Sequence, residues 1–287
     1  MFTIERFGAG PVQLLVEVPH GADRREHYDA IRARLVGDLP ADLHTFFHIN
    51  TDVGAWALGR RVAECVAAEA GVATMAIRSL IPRTFIDCNR LEDAAASSGL
   101  TAGLAPWIRH PDDRAFLVAA HRDYIATVEA AASELPADGL LFLPHTYGPR
   151  SMNIPVVDDE IVSRLREQTE PANWESLPSR PEIDFISVTP DGRTLAPDGM
   201  VEELLAGYAA IGLVGEIAKT YTLHPSTQGA RWSEARPGQA LCVEFRRDLL
   251  VEAWLPFEEM EVRHDEVNRL AGPVIAAFVA RLRRGAA

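Results

Sequence analysis

VQLLVEVPHGAD, residues 12–23, is the stretch that decides the reading of this chain. Val12 to Val18 is short, apolar and rich in β-branched residues, and it stops abruptly at Pro19-His20-Gly21. That pattern describes a buried strand running into a loop. Gly139 to Leu143 repeats it and ends in Pro144-His145, and Ala240 to Phe245 is a third strand of the same kind. Between them the period changes. Residues 53–70 are rich in Ala, Arg, Glu and Leu and close at Gly71, the signature of a helix with a glycine stop. Leu117, His121, Tyr124, Val128 and Ala131 recur at helical spacing, which predicts an amphipathic helix over roughly 112–134. Strands are also expected at Val72–Ile77 and Ile183–Val188, the latter closed by the turn Pro190-Asp191-Gly192. Asp198 is placed to cap a helix reaching about residue 211, and Val267, Leu270, Val274 and Phe278 mark a closing helix over about 261–284, with a kink expected at Pro273. Residues 146–182 carry several prolines and no strong period. Strands alternating with helices predict an α/β layered fold with a largely parallel or mixed sheet. Ligands of such sheets bind beyond the carboxyl ends of strands. His20, His145 and Glu244 all fall at or just past such ends, which points to one site.

The bulk numbers bound the function. With 287 residues, 47% of them hydrophobic and 24% charged, the chain can bury a sizeable core, and we read residues 1–287 as a single domain. The formal net charge of −13 repels phosphate backbones and anionic lipid, so neither nucleic acid nor a membrane surface is expected as a partner. A local arginine cluster can still reverse the field inside one cleft and admit a small anion. Three scattered cysteines, Cys65, Cys88 and Cys242, suit a reducing compartment, and the opening MFTIERFGAG lacks the apolar core of a secretion signal. A cytoplasmic location is the expectation.

Three constellations carry chemistry. His20 and Asp23 form an H-x-x-D pair directly after a strand, and imidazole nitrogen and carboxylate oxygen both suit zinc. A hydrolytic zinc site needs a third protein ligand, for which His145 is the best placed. Taken alone, the pair reads equally as a loop histidine and an aspartate capping the next segment. The second constellation is Arg83-Thr84-Phe85-Ile86-Asp87-Cys88-Asn89-Arg90. A guanidinium beside an asparagine suits the anchoring of a carboxylate, while Asp87 is able to orient a ligating histidine. The plain alternative is a surface loop of ion pairs. The third is Glu244, a polar interruption of an apolar strand. Half-buried, it would serve as a general base; pointing outward, it would be ordinary strand alternation. Asp52, in Thr51-Asp52-Val53-Gly54, reads as a helix cap or as support behind the metal ligands. His224 is an outside candidate for substrate contact. Cys88 reads as an inert buried thiol.

VEVPHGAD, NTDVGAWAL, RTFIDCNR, LPHTYG and ALCVEFRRDLL, in that order, resemble the N-formylglutamate amidohydrolase family, a branch of the zinc carboxypeptidase-like and aspartoacylase-like hydrolases. The resemblance spans roughly residues 12–252. It implies a three-layer α/β/α sandwich with a central mixed sheet, and one zinc ion held by His20, Asp23 and His145. It further implies Asp87 behind the first histidine, Asn89 and Arg90 as the carboxylate clamp, Arg83 stabilising the oxyanion and Glu244 activating water. Tyr147, within LPHTYG, joins the substrate-binding set. Two stretches depart from the family pattern: the second histidine motif is Pro-His-Thr-Tyr, and Lys219 to Gly229 replaces a glycine-rich, tyrosine-containing stretch expected to line the substrate pocket. The activity implied is hydrolysis of an amide next to a carboxylate, as in an N-formyl or N-acyl amino acid. A metallocarboxypeptidase or amidase acting on a peptide end, and a carboxylate-binding protein without catalysis, are the alternatives.

Overall fold

The computed structural model describes residues 1–94, 101–152, 154 and 156–285. Seven strands form one mixed sheet in the order β1-β3-β2-β4-β7-β5-β6. They are β1 (Phe2–Phe7), β2 (Val12–Val18), β3 (Ala73–Ser79), β4 (Leu140–Tyr147), β5 (Ile183–Phe185), β6 (Gly215–Ile217) and β7 (Ala240–Arg246). The four central strands β3, β2, β4 and β7 run parallel; β1 pairs antiparallel with β3 at one edge, and β5 pairs antiparallel with β7. Helices cover both faces, as the three-layer expectation requires.

Side chains alternate along each central strand, and the alternation sorts them into two cores. Leu14 and Val16 of β2, Leu140 and Phe142 of β4, and Leu241 and Val243 of β7 pack beneath α3 (Ala55–Ala70), α7 (Met200–Ala210) and α9 (His264–Gly285). Leu15, Leu141, Leu143 and Cys242 face the other way. They pack beneath α1 (Arg25–Arg32), α2 (Leu43–Asn50), α4 (Pro111–Ser133), α5 (Ile161–Thr169) and α8 (Gln228–Ala235). The short helix α6 (Pro171–Ser176) follows α5. Helix α3 lies close on the sheet because Gly59 has no Cβ: one built there would sit 2.9 Å from Val16 Cγ1 and 3.1 Å from Pro144 Cγ. The helix closes at Gly71, whose φ of 70° is the left-handed conformation that glycine adopts freely.

The same alternation positions the polar groups. Glu17 follows Leu15, His145 follows Leu143, and Glu244 follows Cys242, so all three project toward the α4 face on adjacent strands. His145 and Glu244 are register partners on β4 and β7. Pairing between β2 and β4 ends at Val16 and Phe142, whereas β4 stays paired with β7 as far as Tyr147 and Arg246. The sheet therefore parts beyond its carboxyl ends between β2 and β4, the kind of crevice in which such sheets bind ligands.

Several elements differ from expectation. The strand at Gly139–Leu143 runs on through Pro144 and His145 to Tyr147, because its β7 neighbour continues alongside. Residues 146–182, expected to be irregular, hold α5 and α6, and the strand at 183–188 ends at Phe185. Edge strands β1 and β6 and helices α1, α2 and α8 were not expected; none is longer than eight residues, too short for a period to stand out. Helix α9 continues through Pro273.

Candidate active site

Beyond the parted strand ends lies a cavity of about 490 Å³, within the range of small-molecule sites. At its floor three side chains converge. His20 Nδ1 and His145 Nδ1 each lie 3.1 Å from Asp52 Oδ2, and ligand atoms of all three groups fall within 4.8 Å of one another. All three residues are buried.

Asp52 takes the place expected of Asp23. An H-x-x-D pair converges when both residues sit on one helical turn, but α1 begins only at Arg25 and the chain from Gly21 to Asp23 is irregular. Gly21 is pressed against β3, where a Cβ would meet Arg78 Cβ at 2.7 Å. Asp23 consequently faces Arg78 and His27, at 3.9 and 3.7 Å, rather than the two histidines. Asp52 sits between α2 and α3. Its backbone carbonyl accepts from Ala55 N–H, and its side chain makes no cap hydrogen bond to α3. The carboxylate is thereby free to turn into the site, where it also accepts from Thr146 N–H at 3.3 Å.

Asp87 stands behind this cluster. Its Oδ1 lies 2.7 Å from His20 Nε2 and accepts the Asn89 backbone N–H at 2.8 Å, and its Oδ2 accepts from Arg83 Nη2 at 2.9 Å. Both ring nitrogens of His20 therefore face carboxylate oxygens. Burial and Arg83 oppose a charged ring, yet Asp87 and Asp52 outweigh them and raise its pKa. Burial alone would raise Asp52 and Asp87, but His20 and His145 hold Asp52 well below the usual carboxylate range, and Arg83, Arg90 and His20 do the same for Asp87. The donor set fits a zinc ion. Two imidazoles and one carboxylate are standard zinc ligands, and the 3.1 Å edges approach the roughly 3.3 Å expected of tetrahedral bonds of ~2.05 Å. Asp87 on the far nitrogen of His20 is the carboxylate–histidine arrangement that orients such ligands.

Glu244 lines the cavity with its Oε2 buried and without a partner. Burial pushes its carboxyl up to about 7, against the pull of His145. Arg83 is similarly incomplete: Nη2 is held by Asp87, while the buried Nε–H has no acceptor. Asn89 accepts from Gly229 N–H through Oδ1 at 3.0 Å. Arg90 is 5% exposed and borders the cavity beside it. Tyr147 and His224 also line the cavity; the Tyr147 hydroxyl donates to the Pro181 carbonyl at 2.8 Å, and His224 Nδ1 lies 2.7 Å from Ser226 Oγ. Thr220 to His224 form part of the wall, as expected of the replaced stretch.

Sequence reasoning missed Arg180 and Arg247. Arg180 enters the cavity between Tyr147 and Tyr221, with its guanidinium 5.1 and 5.6 Å from their rings. Arg247, one residue past β7, donates to Thr146 O and Ile49 O at 3.0 Å each and reaches within 3.9 Å of Asp52. With Arg83, Arg90 and Arg150 they make five guanidiniums around one cavity of a chain whose net charge is −13. Such a cluster focuses a positive field on the cleft. Only Arg247 carried a signal, its place beside the Glu244 strand end. Cys88 is fully buried against Ser79 Oγ, and burial pushes its thiol pKa up, as expected of an inert cysteine.

No protein-family model matches the chain, and no curated protein matches it. Solved structures do. A crystal structure of N-formylglutamate amidohydrolase from Ralstonia eutropha JMP134 superposes with a TM-score of 0.59 at 15% identity, covering 99% of both chains. This chain shares that enzyme's fold. A gene product of Agrobacterium tumefaciens superposes with a TM-score of 0.55, also at 15% identity, over 100% of this chain and 96% of its own. Both likenesses extend over nearly the whole of each chain. Among the described residues no helix is long and apolar enough to cross a membrane.

Glu17 lies beneath the site. It is 1% exposed and accepts the Tyr124 hydroxyl at 2.6 Å. Burial, only partly offset by that bond, pushes its carboxyl up to about 7, well above the usual carboxylate range. A carboxyl raised on folding stabilises the fold below its unfolded pKa and loses that contribution as pH rises through its folded one. We expect Glu17→Gln, which keeps an acceptor for Tyr124, to match wild type near pH 4.5. Above pH 7 it should be more stable by about 3 kcal/mol, a figure that follows from the width of the window. Denaturant melts at pH 5 and pH 8 check this; equal differences at both would refute it.

Proposed function

We propose that this protein is a zinc-dependent amidohydrolase that cleaves an amide bond next to a carboxylate, in a small N-acyl amino acid. The observation that carries the reading is the pair of orphaned polar atoms, Glu244 Oε2 and Arg83 Nε, beside the His20–Asp52–His145 cluster. Buried polar atoms without partners call for an explanation, and here both belong to residues that line the cavity. The fold shared with an amidohydrolase supports the same reading.

In this mechanism Asn89 and Arg90 hold the substrate carboxylate and Arg83 Nε–H points at the scissile carbonyl oxygen. His20, Asp52 and His145 would hold a zinc ion, which would supply Lewis acidity at this end of the cavity. Glu244 takes the proton from the attacking water and later delivers it to the departing amine nitrogen. Arg83 donates to the carbonyl oxygen as negative charge gathers there, a contribution that grows in the transition state. No nucleic acid or membrane enters the scheme.

The test is release of free amine from N-formyl and N-acyl amino acids by the zinc-loaded protein, beside analogues whose carboxylate is converted to an amide. We expect turnover of the acids and its loss with the amides. Tight binding without product over long incubation would instead favour a carboxylate-binding protein, and stronger competition by peptides than by small acids would favour a peptide-end hydrolase. Arg90→Met should raise KM roughly 10- to 100-fold, the worth of a charged hydrogen bond, with kcat less affected. An unchanged KM would remove Arg90 from the clamp.

A further inference from the structure

The polar floor occupies only part of the cavity. Another wall is apolar: Phe46 and Ile49 on α2, Leu165 on α5, and Met152 and Ile154 on the segment between β4 and α5. These five belong to one apolar cluster, with Phe46 and Leu165 at its buried centre and the other three packed against it. Helices α2 and α5 pack on each other, so the wall is backed by regular structure. It is distinct from the carboxylate clamp, which is built from the loop after β3 and the start of α8. A cavity of about 490 Å³ also exceeds what a one-carbon acyl group on an amino acid would fill, since pockets of that size take drug-sized ligands.

We propose that the apolar wall between α2 and α5 receives an extended apolar acyl group, so that the substrates are N-acyl amino acids with acyl chains of several carbons. The inference rests on the amidohydrolase reading and assigns the substrate class of that same site. An acyl chain against Phe46, Ile49 and Leu165 leaves water for apolar contact, and each buried methylene should strengthen binding roughly three- to fourfold. A formyl compound leaves the wall in contact with water and gains nothing from it.

The experiment measures binding by calorimetry to Glu244→Gln protein, in which substrate persists, using the N-formyl, N-acetyl, N-butanoyl and N-hexanoyl derivatives of one amino acid. Turnover of the same series is measured on the wild type. Affinity is expected to climb along the series, reaching roughly several hundred-fold between formyl and hexanoyl if all five added carbons are buried. Met152→Ser and Ile49→Ser, at half-buried positions away from the sheet, should each shrink the hexanoyl-to-formyl ratio several-fold. Equal affinity across the series, or preference for the formyl compound, would overturn the inference whatever the turnover. A rising affinity series with no hydrolysis of any member would sustain the apolar wall while defeating the amidohydrolase reading.

Discussion

Glu244→Gln is expected to lower kcat by about 10³-fold while zinc stays bound, the usual scale for loss of a general base lying within 10²–10⁴. The side chain is isosteric, and its Oε2 has no partner to lose. Glu244 is not one of the three groups that converge where a metal could be held. What the substitution removes is a proton acceptor whose carboxyl burial pushes up to about 7. The sign of the pH dependence follows. The base works as carboxylate, so kcat/KM should fall about tenfold per pH unit below the Glu244 pKa and level off above it, and a bound zinc ion's charge would bring that pKa below the metal-free value of about 7. The residual activity of Glu244→Gln should lack that acid limb. A variant with full activity would remove Glu244 from the proton transfer.

Asp87→Ala is expected to have the largest effect on stability. The carboxylate is 1% exposed and serves His20, Arg83 and the Asn89 N–H within 2.9 Å, with Arg90 at 3.8 Å. Removing it leaves two guanidiniums and an imidazole buried without their shared counter-charge, which costs about 3–5 kcal/mol in comparable buried pairs. It also frees the His20 ring, and loss of such a partner weakens metal binding about 10- to 100-fold. Asp87→Asn, which preserves shape and one acceptor, should recover much of the stability and less of the zinc affinity. Chemical denaturation and a zinc-chelator competition separate the two effects. A wild-type midpoint in Asp87→Ala would contradict the role assigned to it.

The sequence made the central layer legible because buried parallel strands leave unmistakable runs. Val12–Val18, Leu140–Leu143 and Ala240–Phe245 are apolar almost throughout, and the residues that end them, or interrupt them as Glu244 does, are the polar groups of the site. The edges were harder to read. β6 has three residues, and β1, half exposed at the sheet edge, has a mixed composition. The third carboxylate illustrates a different limit. Asp23 lies three residues from His20 and Asp52 thirty-two, yet only Asp52 meets both histidines. Spacing predicts convergence within a helix or strand, and here the intervening chain is neither. Arg180 was hidden for a related reason: it sits in an irregular link and reaches the cavity through Tyr147 and Tyr221, residues far apart in sequence. The five-residue apolar wall likewise draws on segments between residues 46 and 165.

The measurement that bears most directly on the central claim is zinc content per chain in the wild type, Asp52→Ala, His145→Ala and Asp23→Ala, after zinc loading and removal of excess. The structure predicts about one zinc in the wild type and in Asp23→Ala, and almost none in Asp52→Ala or His145→Ala. Zinc retained by Asp52→Ala and lost from Asp23→Ala, or no zinc in the wild type, would contradict the site.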